Sequence, residues 1–247
     1  MRTLNVKYNN ITLETAIEQA LSLVENQNKA NVFFLNIDCL CKAQKDEKYR
    51  NILNSADLVF PDGIGLRLAT WLLGGRMKEN CNGSNFSPLF MARAAEKGHK
   101  IFFLGGRDGV AERAAEVMRK KVPKIQILGT HSGYFNSDEE VIEKINKSEA
   151  DILFVAMGVP LQEKWIVQNR GRLNPKLCLG VGALFDYLSG RIKRAPKWMQ
   201  KAGLEWFWRL IMEPKRLWKR YLIDDPVFFW LVLKQKLGLL RPKKMDS

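Results

Sequence analysis

Asp62 stands between Pro61 and Gly63, directly after the apolar run Leu58-Val59-Phe60. A carboxylate at the end of a short strand faces the cleft that strand ends open into, and there it can act as a general base toward a hydroxyl. The competing reading makes Asp62 the cap of a helix beginning near Ile64. Gly105-Gly106-Arg107-Asp108-Gly109 lies between a strand-like run and a helical one. Small residues in that position let backbone amides approach a phosphate, with the helix N-terminus adding partial positive charge. The spacing is not G-x-G-x-x-G, which disfavours a nicotinamide cofactor; the alternative is a tight turn with Asp108 as helix cap. Gln162 and Glu163 open a helix after the turn Gly158-Val159-Pro160, where they could reach ribose or sugar hydroxyls. Glu163 could instead simply complement the helix dipole.

A second group of chemistry-bearing residues is cationic. Arg209 and Arg216 are seven residues apart, with Lys219 and Arg220 one turn on. On an unbroken helix Arg209, Arg216 and either Arg220 or Lys219 share a face that suits a diphosphate, and Pro214 is where that helix would break. The same stretch interleaves its cations with Trp198, Trp206, Trp208 and Trp218, the composition of a helix lying in a membrane interface. The bland alternative is a solvated basic helix docked by its tryptophans. A formal net charge of +14 draws the chain toward anions. Nucleic acid is not the expected partner, because no recognisable DNA- or RNA-binding module is present and the cations sit beside bulky apolar residues.

Metal and cofactor chemistry find little support. There is no D-x-D pattern, and Cys39, Cys41, Cys81 and Cys178 form no C-x-x-C pair and have only His99 and His131 to assist them. The expectation is a metal-independent, cofactor-free protein with reduced thiols in the cytoplasm. No signal peptide is expected, and no stretch approaches the roughly 20 apolar residues of a membrane span. Membrane contact is expected to be peripheral.

These residues need a scaffold, and the apolar periodicity supplies one. Helical spacing over Leu13 to Val24 precedes the strand-like run Val32 to Leu35, followed by a helical stretch from Lys42 to Leu53 and the run ending at Phe60. Helical patterns follow over Leu66 to Leu73 and Pro88 to Lys97, then the strand Lys100 to Leu104 and a helix from Val110 to Lys121. The strand Ile125 to Leu128, the helix Glu139 to Ser148, the strand Asp151 to Ala156, the helix Gln162 to Arg170 and the strand Leu177 to Val181 complete the alternation. Short apolar strands separated by helices predict an α/β protein with a Rossmann-like, doubly wound, mostly parallel sheet. Ligands on such sheets bind beyond the carboxyl ends of the strands, where the glycine-rich loops cluster. After Gly190 the strand signal ends, so residues 1–190 are read as an α/β core and 191–247 as a helical, basic-aromatic, membrane-docking appendage.

The ordered motifs resemble one family. They are Asn36 at the first strand end, Ala56 to Gly65, Phe103 to Gly106, Gly129 to Phe135 with Tyr134, Met157 to Glu163, Gly180 to Asp186, and Arg194 to Met199 leading to Trp206. Their sequence is similar to that of the WecG/TagA/CpsF glycosyltransferases, glycosyltransferase family 26. The resemblance implies an inverting transfer from a UDP-sugar, typically of N-acetylmannosamine or its uronic acid, to N-acetylglucosamine on undecaprenyl diphosphate. Products of such enzymes enter teichoic acid, capsule or exopolysaccharide at the inner face of the cell membrane. It further implies Asp62 as catalytic base. Asn36, Gly63, Gly105, Gly106, Tyr134, Gly158, Gln162, Glu163 and Asp186 are then expected to bind substrate. Arg209, Arg216 and Lys219 are expected on a lid that reaches the acceptor's diphosphate at an anionic membrane surface. A homo-oligomer is compatible with the resemblance.

One segment departs from the pattern. Where most members read Arg-Val-Thr-Gly-x-Asp, this chain reads Asn80-Cys81-Asn82-Gly83-Ser84-Asn85. The segment shapes the acceptor or sugar pocket, so Asn82 and Asn85 enter as substrate-binding candidates and the donor sugar stays open. The departure also admits an alternative function, a catalytically silent protein that binds a lipid-linked glycan or an anionic membrane.

Overall fold

A computed structural model describes residues 1–26 and 28–239, apart from the side chain of Arg216. A small antiparallel hairpin, β1 (Arg2–Thr3) and β2 (Val6–Lys7), precedes α1 (Leu13–Glu25). Then come β3 (Ala30–Leu35), α2 (Ile37–Lys45), α3 (Glu47–Ser55), β4 (Leu58–Pro61), α4 (Ile64–Leu72), α5 (Gly83–Glu96) and β5 (Lys100–Gly105). The alternation continues through α6 (Val110–Lys121), β6 (Gln126–His131), α7 (Asp138–Lys147), β7 (Ile152–Ala156), α8 (Leu161–Asn169), β8 (Leu177–Gly180) and α9 (Leu184–Leu188). The six strands β3 to β8 form one parallel sheet in the order β4-β3-β8-β7-β5-β6. This is the expected Rossmann-like α/β architecture.

The sheet is covered on both faces, which is why its central strands read as unbroken apolar runs rather than alternating ones. Val32, Phe34, Ile101, Phe103 and Phe154 face a core shared with α1, α5 and α6. Their neighbours in sequence, Phe33, Leu35, Phe102, Leu104 and Val155, face a second core that includes Tyr49, Leu66 and Trp165. The period-two alternation of the pleat sends successive side chains to opposite cores.

Two helices differ from expectation. The stretch from Lys42 to Leu53 is two helices, because Asp46 caps α3 by accepting from the Tyr49 amide at 2.9 Å. Helix α5 starts five residues before Pro88, at Gly83, with Asn82 as its cap. Pro88 removes one helical donor and so frees the Ser84 carbonyl, which accepts from Arg194 Nη1 at 3.4 Å.

The tail comprises α10 (Lys197–Lys201), α11 (Glu205–Met212), α12 (Pro214–Lys219), a π-helical turn (Arg220–Asp224) and α13 (Asp225–Lys236). Pro214 opens α12, so the basic stretch is not one continuous helix. Helix α13 packs on α2 and α4, with Phe228 and Val232 buried in the second core. The Leu4 amide also donates to Gln235 Oε1 at 2.7 Å. Among the described residues no helix is long and apolar enough to cross a membrane.

Candidate active site

The pairing of Leu35 with Pro61 in register brings the next residues, Asn36 and Asp62, out at one level beyond the sheet. The Asp62 amide donates to the Leu35 carbonyl at 2.8 Å, fixing the turn. Gly63 follows at φ 95°, a conformation open to glycine, and its amide donates to Asn80 Oδ1 at 2.8 Å. Gly63 occupies the capping position of α4, where no side chain supplies a cap. The Asp62 carboxylate therefore does not cap the helix. Asn36 Oδ1 accepts from the Cys39 amide at 3.1 Å, capping α2.

Burial pushes the Asp62 carboxyl above the ordinary aspartate range. The guanidinium groups of Arg209 and Arg220 pull it back, as does the polar Asn36 side chain, while Glu205 adds to the rise. Arg209 lies over the Tyr187 ring at 5.9 Å and Arg220 over the Tyr221 ring at 5.4 Å. Arg220 Nη1 is 3.7 Å from Asp38 Oδ2, which Lys42 Nζ also meets at 2.9 Å. The Nε atoms of both Arg209 and Arg220 are buried with no hydrogen-bond partner among the described residues. A buried donor left in that state costs about 1–3 kcal/mol.

Of the tail cations picked from the sequence, Arg209 is one whose charge acts on Asp62. Lys219 is exposed at the end of α12, and the Arg216 side chain lies outside the described residues. Arg220, one residue past Lys219 where the chain passes into the π-helical turn, also acts on Asp62 through its charge while meeting Asp38 directly.

Gln162 and Glu163 are buried. Gln162 Oε1 accepts from the amides of Gly158 at 3.2 Å and Gly182 at 2.9 Å, tying together the loops after β7 and β8. Its Nε2 donates to Glu163 Oε1 at 2.6 Å. Burial pushes the Glu163 carboxyl up to about 7. The pair thus braces the strand-end loops from beneath. Lys42 Nζ donates to the Val159 carbonyl at 2.9 Å, linking these loops to Asp38 and, through it, to Arg220.

Gly105 and Gly106 close the far side. A Cβ at Gly105 would lie 2.4 Å from the Ala156 carbonyl oxygen, so the strand ends touch backbone to backbone. The Gly106 amide donates to that oxygen at 3.0 Å, and its carbonyl accepts from Gly133 at 2.8 Å. Gly109, not Asp108, occupies the capping position of α6. Tyr134 is 72% exposed beyond β6. Asp186 pairs with Arg191 Nε at 2.6 Å, and the charge of Arg191 feels Tyr134 and Glu213 as well.

The departing segment is built into the site. Asn82 Oδ1 accepts from the Asn85 amide at 2.8 Å, and Asn85 Oδ1 accepts from Arg194 Nη2 at 2.6 Å. Arg194 Nε in turn donates to Glu205 Oε1 at 3.1 Å, joining the segment to the tail. Asp38, Glu205, Tyr187 and Tyr221 are neighbours of the site that sequence reasoning did not single out. Tyr187, which directly follows the motif ending at Asp186, and Glu205, which directly precedes Trp206, carried a signal.

The fold is thus a parallel α/β sheet with a carboxylate at its strand ends and two tail arginines whose charges act on it. The model of the glycosyl transferase WecG/TagA/CpsF family matches residues 1–242. The chain belongs to this family of glycosyltransferases. It is 32% identical over 233 residues, 94% of this chain and 90% of the relative, to an N-acetylglucosaminyldiphosphoundecaprenol N-acetyl-beta-D-mannosaminyltransferase of Bacillus subtilis (strain 168). A protein of the same name from Bacillus spizizenii is 33% identical over 88% of this chain and 84% of its own length. Another, from Staphylococcus aureus (strain MRSA252), is 28% identical over 97% of this chain and 94% of its own length.

Proposed function

We propose that the chain is an inverting, metal-independent glycosyltransferase. It moves a hexose-type sugar, N-acetylmannosamine or a close relative, from a UDP-sugar to a sugar carried on undecaprenyl diphosphate. The observation that carries this reading is Asp62 at the strand end, its carboxyl acted on by the Asn36 side chain and by the charges of Arg209 and Arg220. Deprotonated Asp62 takes the proton of the acceptor hydroxyl as that oxygen attacks the anomeric carbon. The new bond joins that carbon to the acceptor oxygen, the bond to UDP breaks, and UDP leaves with the electron pair. Attack from the face opposite UDP inverts the anomeric configuration.

Arg209 and Arg220 offer their donors to a diphosphate on the acceptor, with Lys219 extending the same basic surface. The backbone at Gly105, Gly106 and Gly158 admits the donor's phosphates, and Tyr134 and Asp186 meet its nucleotide. Gln162 and Glu163 hold the loops for it. Arginines and amide dipoles offset the charge on departing UDP without a divalent ion or cofactor. The names of the relatives support an undecaprenyl-diphosphate acceptor bearing N-acetylglucosamine. The product would enter a cell-surface polysaccharide, made by a peripheral protein on the inner face of the cell membrane.

The alternative, a silent lipid-linked-glycan or membrane-binding protein, draws on Asn80 and Asn85. Asn80 holds the turn of Asp62 and Asn85 holds Arg194, which supports the transferase reading instead. The test is UDP release from a panel of UDP-sugars with a short-chain prenyl-diphosphate N-acetylglucosamine acceptor, with and without EDTA, followed by NMR of the product. Acceptor-dependent release insensitive to EDTA, with an inverted anomeric centre, is expected. Retention of configuration would overturn the mechanism.

A further inference from the structure

We infer that helix α4 forms part of the surface that meets an anionic lipid bilayer, so that membrane contact starts at the lip of the Asp62 site and is not confined to the tail. The inference rests on the transferase reading for its purpose and on the surface of α4 for its support.

Ile64, Leu68 and Trp71 fall at intervals of four and three residues, one stripe along the helix. They are 44%, 44% and 68% exposed, while Leu66, Ala69 and Thr70 face the interior. A helix that already buries one face has no folding reason to carry a second apolar stripe, and such a patch marks a contact surface. Charge indicates what it meets. From Gly63 to Lys78 the chain holds Arg67, Arg76 and Lys78 and no acid, and all three cations are exposed. Apolar side chains flanked by cations are the composition of an interfacial helix, whose cations are attracted to anionic headgroups.

The stripe is continuous with the tail. A Cβ at Gly203 would lie 3.1 Å from Ile64 Cγ1, so the chain entering α11 runs against the start of α4. Helix α13 packs along α4 as well. These tail helices expose Phe207, Ile211 and Trp230. A second copy of the chain is the competing occupant. A twofold pairing sets the same patch against itself, which would bring two copies of Arg67, Arg76 and Lys78 to one interface, three cations in each copy against the exposed Glu79 that follows them. Anionic headgroups neutralise the same cations. Ile64 follows Asp62 by two residues, so docking α4 holds the base at the depth where a lipid-anchored acceptor carries its diphosphate.

The experiment uses the full chain and the double variant Leu68→Gln/Trp71→Gln. Partition is measured by sedimentation with vesicles of phosphatidylglycerol and phosphatidylcholine, and with vesicles of phosphatidylcholine alone. UDP release on the short-chain acceptor, molecular mass by sedimentation equilibrium and thermal unfolding are read separately. The expected result is at least about tenfold weaker partition onto the anionic vesicles, with release, mass and unfolding unchanged. A second variant, Arg67→Gln/Arg76→Gln, keeps the stripe and is expected to lose the salt-sensitive part of the binding. Undiminished partition of both variants overturns the inference, and so does a smaller mass for the first variant, which would assign the face to a second copy. Weaker partition in a protein that releases no UDP with any donor supports the α4 surface while striking the transferase reading.

Discussion

Asn36 and Asp62 leave adjacent parallel strands at the same level, and the single Asn36 side chain serves both ends: its oxygen caps α2 through Cys39 while the side chain also lowers the Asp62 value. Asn36→Asp separates the two duties. An aspartate keeps the cap but sets a second negative charge beside Asp62. Thermal stability is expected to stay within about 1 kcal/mol of native. The turnover at neutral pH is expected to fall by roughly tenfold or more, as the added charge disturbs the carboxylate that takes the proton. Asn36→Ala loses both the cap and the polar neighbour of Asp62, and so should fall in stability as well as rate.

The pH profile follows from the direction of the Asp62 shift. A general base works deprotonated, so a carboxyl held above its ordinary value loses activity at a higher pH than a free aspartate would. The acid limb of kcat/KM is expected above 3.8, the ordinary value. Of the two arginines Arg209 lowers the Asp62 value more, so Arg209→Gln should move that limb upward. An unmoved limb would mean that another group titrates.

Much of this was legible in the residues. Alternating short apolar runs and helical spacings identify the parallel sheet, and the loop after Phe60 marks Asp62 as its strand-end carboxylate. What escaped depends on partners far away in sequence. The polarity of Gln162 suggests a surface residue, yet its acceptors' need is met by the backbone amides of Gly158 and Gly182, which no side-chain pattern reveals. Pro88 resembles a helix start, and only the approach of Arg194 shows how the earlier turn tolerates it. In the tail an unbroken helix would put Lys219 and Arg220 on comparable terms. The break at Pro214 and the π-helical turn decide for Arg220.

Glu163 gives a stability prediction of definite sign. Its carboxyl titrates at 4.5 in the unfolded chain and near about 7 when buried, so the folded state holds the proton more tightly. The stability it contributes is full below 4.5 and is lost as pH rises toward about 7. Glu163→Gln removes that loss, and its oxygen can still accept from Gln162. Urea denaturation should find the variant more stable than native at pH 8 by on the order of 3 kcal/mol, with little difference at pH 4. Equal differences at both would contradict the assignment.

The last tail helix is part of the interior. Phe228 is buried among residues of the second core, so Phe228→Ala is expected to destabilise the whole chain by about 3–5 kcal/mol in urea denaturation. A cut after Gly190 would uncover the face of α2 and α4 that α13 covers. An unchanged unfolding midpoint in the variant would instead mark the tail as an independent appendage.

The central claim is that Asp62 is the base of a sugar transfer. Acceptor-dependent UDP release should be compared between native protein and Asp62→Asn, at saturating donor and with the fold of the variant verified by its unfolding curve. A fall in turnover of about 10²- to 10⁴-fold, with donor affinity retained, is the predicted result. Turnover within a few-fold of native would contradict it and require the proton to leave through another group.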